Sequence, residues 1–269
     1  LPRLYITTSW DDGHPLDLRV ADMLVRHGLA ATFYVPRSNS RPVLSDVDVR
    51  HLSRHFEIGG HTVGHRDLAT LSEEESWTEI LGCRESLEQI TSAACRSFCF
   101  PLGHYRRRHV EQVRRAGFHG ARTVELMSLA SPQLRYALPL MPTTIHAAPA
   151  RAATYIRNSA KRMRPANLFR YAMVRERDWV GTLENLLSRA LVSGGVFHLW
   201  GHSWEIEELG QWQNLDRALA IVAQCRNGAR YVSNQELWSL APATGLTRKN
   251  RHVSAAEPSA TSGGIWDKQ

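Results

Sequence analysis

Short apolar runs alternate with amphipathic stretches along most of this chain, a rhythm that predicts strands alternating with helices around a parallel sheet. Leu4-Tyr5-Ile6-Thr7-Thr8-Ser9-Trp10 is β-branched and aromatic, and it stops at the turn signal Asp11-Asp12-Gly13. Leu16, Val20, Met23 and Leu24 then recur at helical spacing, and Gly28 is placed to end that helix. Ala31 to Val35 reads as a second strand halted by Pro36, followed by a helix over 47–55 and a short strand, Glu57-Ile58-Gly59-Gly60. Ser72-Glu73-Glu74-Glu75 opens a helix in capping-box style that runs to about Ile90. Residues 96–100 and 118–123 read as strands around a helix over 109–116. Further on, 179–191 is helical, 195–200 a buried strand, 215–224 a helix, and Arg230 to Val232 the last strand. Six or more strands separated by helices favour a closed parallel barrel over an open sheet. Prolines 132, 139, 142, 149 and 165 interrupt 126–178, which is expected to be loop-rich and partly helical.

At 269 residues the chain fits one large domain with room for a core and a cleft. The apolar period is lost from about Thr244, so the expected division is a catalytic domain over 1–243 and a disordered tail over 244–269. No apolar run is long enough for a transmembrane helix, and the first ten residues lack the layout of a secretory signal, so a cytoplasmic protein is expected. The four cysteines, at 83, 95, 99 and 225, form no CxxC pair and read as small buried hydrophobes. The net charge of +7 has a local source: eight Lys or Arg between Arg151 and Arg177 face one acid, Glu176. A solvated helix face is the commoner explanation. The functional one is an anionic partner, such as a phosphorylated sugar carrier or a membrane surface; nucleic acid is not expected, since no recognised module accompanies the charge.

Chemistry concentrates where predicted strands end, the face on which barrel enzymes build their sites. His61 and His65 are four apart, which on a helical turn places both imidazoles on one side, about 5–6 Å apart at Cβ and close enough to share a divalent ion. Spacing alone is weak in a chain with 13 histidines, and His51 and His55 share it within a predicted surface helix. The pair at 61 and 65 gains weight from its place directly after the Gly59-Gly60 strand. Asp11 and Asp12 are adjacent carboxylates at a strand end: one completes a His-His-Asp site, and the other serves as general base. His202, beyond the run Val196-Phe197, suits a general acid for an amine leaving group, whereas His198, inside the strand, reads as a core histidine.

Taken in order, these segments resemble the polysaccharide deacetylase (NodB-homology) family of metal-dependent carbohydrate esterases. Ser9-Trp10-Asp11-Asp12-Gly13 is similar to its first motif, and Glu57 to His65 to its second, the most specific piece. Phe98 to Tyr105 is similar to the third. The resemblance, over about residues 4–240, implies an irregular (β/α) barrel of about seven strands. It implies Asp11 as base, Asp12, His61 and His65 as metal ligands, His202 as acid and the Leu102 amide as oxyanion donor. Tyr105 and Trp204, beside these motifs, are the substrate-contact candidates. The implied ion is zinc, with cobalt or another divalent ion as alternatives, and the implied substrate is an N-acetylated carbohydrate, lipid- or nucleotide-linked forms included. The family's third-motif Arg is replaced here by Cys99, and Arg122, at the next strand end, is the candidate to supply the guanidinium. The fourth motif has only Asp178-Trp179, which reads as a helix start, and the last is altered to Trp200-Gly201-His202-Ser203. Two other readings stay open: a hydrolase of non-sugar amides on this fold, and a glycan-binding module without catalysis.

Overall fold

A computed structural model describes residues 4–240. The expected tail over 244–269 lies outside the described residues, as does the boundary drawn at 243. Strand β1 (Leu4–Trp10) runs through the centre, paired in parallel along its whole length with β9 (Gly195–Gly201). On its other side it pairs with β2 (Ala31–Val35), and the ladder continues through β3 (Glu57–Gly60), β4 (Ser97–Cys99) and β5 (Gly120–Arg122). Both faces of β1, β2 and β9 are largely buried, which is why these strands show no alternation of apolar and polar residues.

The stretch expected to be loop-rich closes the ring. It contains β6 (Gln133–Arg135), β7 (Leu138–Met141) and β8 (Ile145–His146) before the helices α5 (Ala152–Lys161) and α6 (Pro165–Val174). β7 pairs in parallel with β5 at one end of the sheet, and β8, three residues on, pairs in parallel with β9 at the other. One run of chain thus joins the two ends, giving seven positions around an irregular barrel: β1, β2, β3, β4, β5, β7 continued by β8, and β9. The prolines hid these strands. Pro139 sits within β7 and Pro142 at its end, positions where a missing N–H costs the short ladder little. β6 lies outside the ring, antiparallel to β7, and the expected last strand is the short β10 (Ala229–Tyr231), paired only with the start of β1.

The helices wrap this ring much as the apolar spacing predicts. α1 (Asp17–His27) ends at Gly28 in the left-handed conformation, whose N–H caps Leu24 and Val25. α3 (Glu73–Thr91) starts with the expected box between Ser72 and Glu75. α7 (Trp179–Ser193) starts at Asp178, which accepts from the Gly181 N–H, so that Asp-Trp pair is a helix cap. The helix expected over 47–55 is shorter, α2 (Asp46–Leu52), leaving His55 beyond its end, and the one expected over 109–116 is α4 (Arg107–Arg115). Cys83, Cys95 and Cys99 are buried and unbridged as expected, whereas Cys225, also unbridged, is only partly buried. Among the described residues no helix is long and apolar enough to cross a membrane.

Candidate active site

The parallel strands all end on one face, and the loops leaving β1, β2, β3, β4, β5 and β9 form a cleft of about 500 Å³ there. Asp11, Asp12, His61, His65, Leu102, His202 and Trp204 all line it. Tyr105 does not: its ring stacks on the cleft residue Phe100, centroids 4.3 Å apart, and it lines a neighbouring cavity with Thr123 and Glu125. Four of the nine non-glycine residues with positive φ among those described are in the site loops: Asp12, Thr62, His65 and Leu102. Such backbone is costly, and it persists here because packed strand ends fix the loops on either side.

His61 and His65 converge without the helical turn expected of them. The segment after β3 is an irregular loop in which Thr62 and His65 take left-handed φ of 65° and 51°, folding the second imidazole back on the first. Their ring centroids are 4.8 Å apart. Asp12 turns out of β1 at φ 75° and brings Oδ1 to 3.0 Å from His65 Nε2 and 3.6 Å from His61 Nε2. The other carboxylate oxygen, Oδ2, accepts from the Trp204 indole N–H at 2.9 Å. Oδ1 is buried and has no hydrogen-bond partner. His61 Nδ1–H donates to the Cys99 carbonyl at 2.8 Å, which fixes its tautomer and leaves Nε2 free to ligate. An orphaned carboxylate oxygen facing two imidazole nitrogens is the donor set a divalent ion such as zinc takes, so these residues fit one. Burial pushes the Asp12 carboxyl up, but the imidazoles of His61, His65 and His202 beside it outweigh that and hold it far below the usual carboxylate range.

Asp11 faces a different partner. The last ladder bond of β1 is its N–H to the Gly201 carbonyl, and its side chain meets the guanidinium of Arg122 in a buried ion pair. Arg122 thus brings a guanidinium to Asp11 from the end of β5, and the Cys99 thiol lies 3.8 Å from the same carboxylate oxygen. Burial raises the Asp11 carboxyl, yet Arg122, with His61 and His202 behind it, brings the net shift below the ordinary value. The Arg122 guanidinium is covered by two aromatic rings, Trp200 at 4.6 Å and Tyr34 at 5.5 Å, which offset part of the cost of burying it.

His202 caps α8 (Ser203–Glu208) from the end of β9. Its Nδ1–H donates to Glu205 at 3.2 Å, and His146 Nε2 lies 3.1 Å from the same oxygen. Burial disfavours the His202 cation, but Glu205, Asp11 and Asp12 outweigh it and raise its pKa. Despite burial, His146 and His202 hold Glu205 well below the usual carboxylate range. His198 is hydrogen-bonded to Ser9 at 2.8 Å inside the barrel, and burial takes its pKa down to about 3, as suits a neutral core histidine. His51 and His55 are exposed and away from the cleft.

Several cleft residues escaped the sequence reading. Asn39, Ser40 and Arg41 follow β2, and the rule that strand ends line the site marks that loop. Arg41 stacks 3.8 Å over Trp204. Thr154 and Asn158 share one face of α5 through their i,i+4 spacing, and Asn158 bonds both the Val124 carbonyl and the Leu126 N–H. Glu205 is three residues from His202 and was legible as a partner; His146 was not, because only the pairing of β8 with β9 brings it alongside.

The polysaccharide deacetylase family profile matches residues 2–121. A peptidoglycan-N-acetylglucosamine deacetylase of Bacillus cereus is 27% identical over 100 residues, 36% of each chain, so this chain matches only about a third of that relative's length. Among solved structures, a Mycobacterium smegmatis protein assigned as a polysaccharide deacetylase superposes with TM-score 0.62 at 14% identity, covering 96% of both chains. The chitin deacetylase of Colletotrichum lindemuthianum gives 0.57 at 16% identity over 88% of this chain and 91% of its own. At such identities the two structures establish a shared fold.

Proposed function

From the polysaccharide deacetylase family, to which residues 2–121 of this chain belong, we propose that the protein is a divalent-metal-dependent hydrolase that removes the acetyl group from an N-acetylated amino sugar. The observation that carries this reading is the division of labour between neighbouring carboxylates: Asp12 turns an unpartnered oxygen to His61 and His65, and Asp11 is held ionised beside it by Arg122. Asp12, His61 and His65 would hold a divalent ion, zinc by its preference for this donor set, which would supply polarisation of a carbonyl and acidification of a water. Asp11 takes the proton of the attacking water. Arg122 keeps that carboxylate a weak base, so the proton is readily passed on. The Leu102 amide, on the cleft wall in a left-handed turn, donates to the carbonyl oxygen as charge builds there. His202, whose cation is favoured by Glu205, gives its proton to the departing amine. Trp200, Trp204, Phe100 and Leu102 give the cleft apolar walls for a sugar ring and an acetyl methyl.

The test is acetate release from acetylated chito-oligosaccharides, set beside a panel of small non-sugar amides, by protein stripped with chelator and reloaded with zinc. Asp11→Asn is expected to lower kcat by about 10²–10⁴-fold while still binding one zinc ion. Unchanged turnover in that variant, or turnover confined to the non-sugar amides, would overturn the proposal.

A further inference from the structure

The helices α5 and α6 form a hairpin whose inner side helps to wall the cleft and whose outer side has no partner among the described residues. On the inner side, Thr154 and Asn158 reach the cleft, while Tyr155, Ser159, Asn167 and Val174 are buried. The outer side is unusual in two ways. Of the eleven large apolar side chains exposed among the described residues, four lie on this one hairpin: Met163 (86%), Phe169 (68%), Met173 (55%) and Ile156 (48%). Around them Arg151, Arg157, Lys161, Arg175 and Arg177 are also exposed, and none of these five takes part in an ion pair among the described residues. The three remaining cations of the stretch are less exposed: Arg164 pairs with Glu125 at 3.1 Å, Arg170 donates to the Met127 carbonyl, and Arg162 is half-buried. The basic stretch is thus divided between three partly buried arginines and five exposed cations that have no ion pair among the described residues.

A merely solvated helix face has no use for a phenylalanine and two methionines at such exposure. Cations interspersed with exposed apolar side chains are the composition of helices that lie in a bilayer interface, the apolar groups entering the acyl boundary and the cations meeting anionic headgroups. A protein partner offering mostly apolar surface would leave the five cations unanswered, and a second copy would bring five more against them. Charge complementarity therefore favours a surface rich in phosphate. We propose that the outer side of this hairpin docks on anionic lipid bilayers and so presents the cleft to a sugar carried in that surface. The docking rests on the hairpin alone; the sugar rests on the deacetylase reading.

The test uses the full chain and extruded vesicles, either phosphatidylcholine alone or phosphatidylcholine mixed with phosphatidylglycerol. Sedimentation with the mixed vesicles is expected, with little binding to phosphatidylcholine and with loss in high salt. Replacing Arg157 and Lys161 by Glu is expected to weaken binding by at least roughly fivefold per cation removed. Phe169→Ser combined with Met173→Ser is expected to release the protein even at low salt. All four side chains are exposed, so the variants should keep the wild-type melting temperature, which is checked first. Equal binding by wild type and variants, or no binding by wild type, would overturn the docking surface. So would a wild-type dimer in sedimentation velocity without lipid that becomes monomeric in the Ser variant, since a second copy then covers the face. Sedimentation needs no turnover, so vesicle binding by a protein inactive on every acetylated sugar sinks the deacetylase reading and leaves the docking intact. With activity in hand, the Ser variant should lose rate on a vesicle-borne acetylated glycolipid and keep it on a soluble oligosaccharide; equal loss on both overturns the presentation role.

Discussion

At the scale of single residues, the site depends on how each buried charge is answered. Asp11 and Arg122 neutralise one another almost wholly inside the protein, Asp11 showing only its edge to the cleft, so removing either strands the other. Arg122→Met is expected to destabilise the protein by about 3–5 kcal/mol, read by denaturant unfolding, because the Asp11 carboxylate is then buried without its counter-charge. The same substitution should move the acid limb of the pH–rate profile upward, since Asp11 loses the main influence holding its pKa down. A profile that stayed in place would show that Arg122 does not set the basicity of Asp11. Asp12 is answered by the Trp204 indole and two imidazoles. These roles were unequally visible in the sequence. Residue type and order singled out Asp11, Asp12, His61 and His65, and a strand-end position made Arg122 a candidate, whereas its contact with Asp11, 111 positions away, exists only in the fold.

At the scale of elements, the strands aim the loops, and small residues let the strands approach. Gly59 in β3 illustrates this: a Cβ there would come within 2.6 Å of the Tyr34 ring on β2 and 3.0 Å of the Ser97 carbonyl on β4. Tyr34 is fully buried, with its hydroxyl bonded to Asn234 at 2.8 Å, so it has little room to yield. Gly59→Ala is expected to cost about 1–3 kcal/mol by overpacking. In a chain of this size that lowers the melting temperature by about 2–4 °C for each kcal/mol, measured by calorimetry. An unshifted transition would show that the ring can move aside. The helices were legible because their caps and apolar spacing are local: Ser72 with Glu75, Gly28 after His27, Asp178 before Trp179. The strands β6, β7 and β8 were not, since each is two to four residues long and becomes a strand only through partners elsewhere in the chain.

At the scale of the whole molecule, closing the ring buries His198 as a neutral base, and stability acquires a pH dependence from it. Its pKa falls from the ordinary value of about 6.5 in the unfolded chain to about 3 in the fold, mainly through burial, with the nearby Arg122 charge acting in the same direction. Between those values the unfolded chain binds the extra proton, so stability rises with pH across that window and is lost on acidification, at up to about 1.4 kcal/mol per pH unit. The depressed carboxyls of Asp11 and Asp12 add to the loss at the acid end, because they too must take up protons for which the fold is not suited. Unfolding free energies measured from about pH 6.5 to 4 should therefore fall, and His198→Gln should flatten that slope even though it lowers stability at neutral pH. An equal slope in both proteins would place the effect in another group. The sequence by itself determined the alternation of strands and helices, and it singled out the strand-end loops and the residues Asp12, His61 and His65 proposed to hold a metal, because periodicity, caps and residue types are properties of neighbours. Only the tertiary structure decided how the ring closes through residues 138–146, that Arg122 answers Asp11, that His146 joins Glu205 beside His202, and that His61 and His65 meet through a left-handed loop rather than a helical turn. Each of these depends on strand pairings between residues far apart in the chain, and no local pattern in the sequence encodes which strand ends become neighbours.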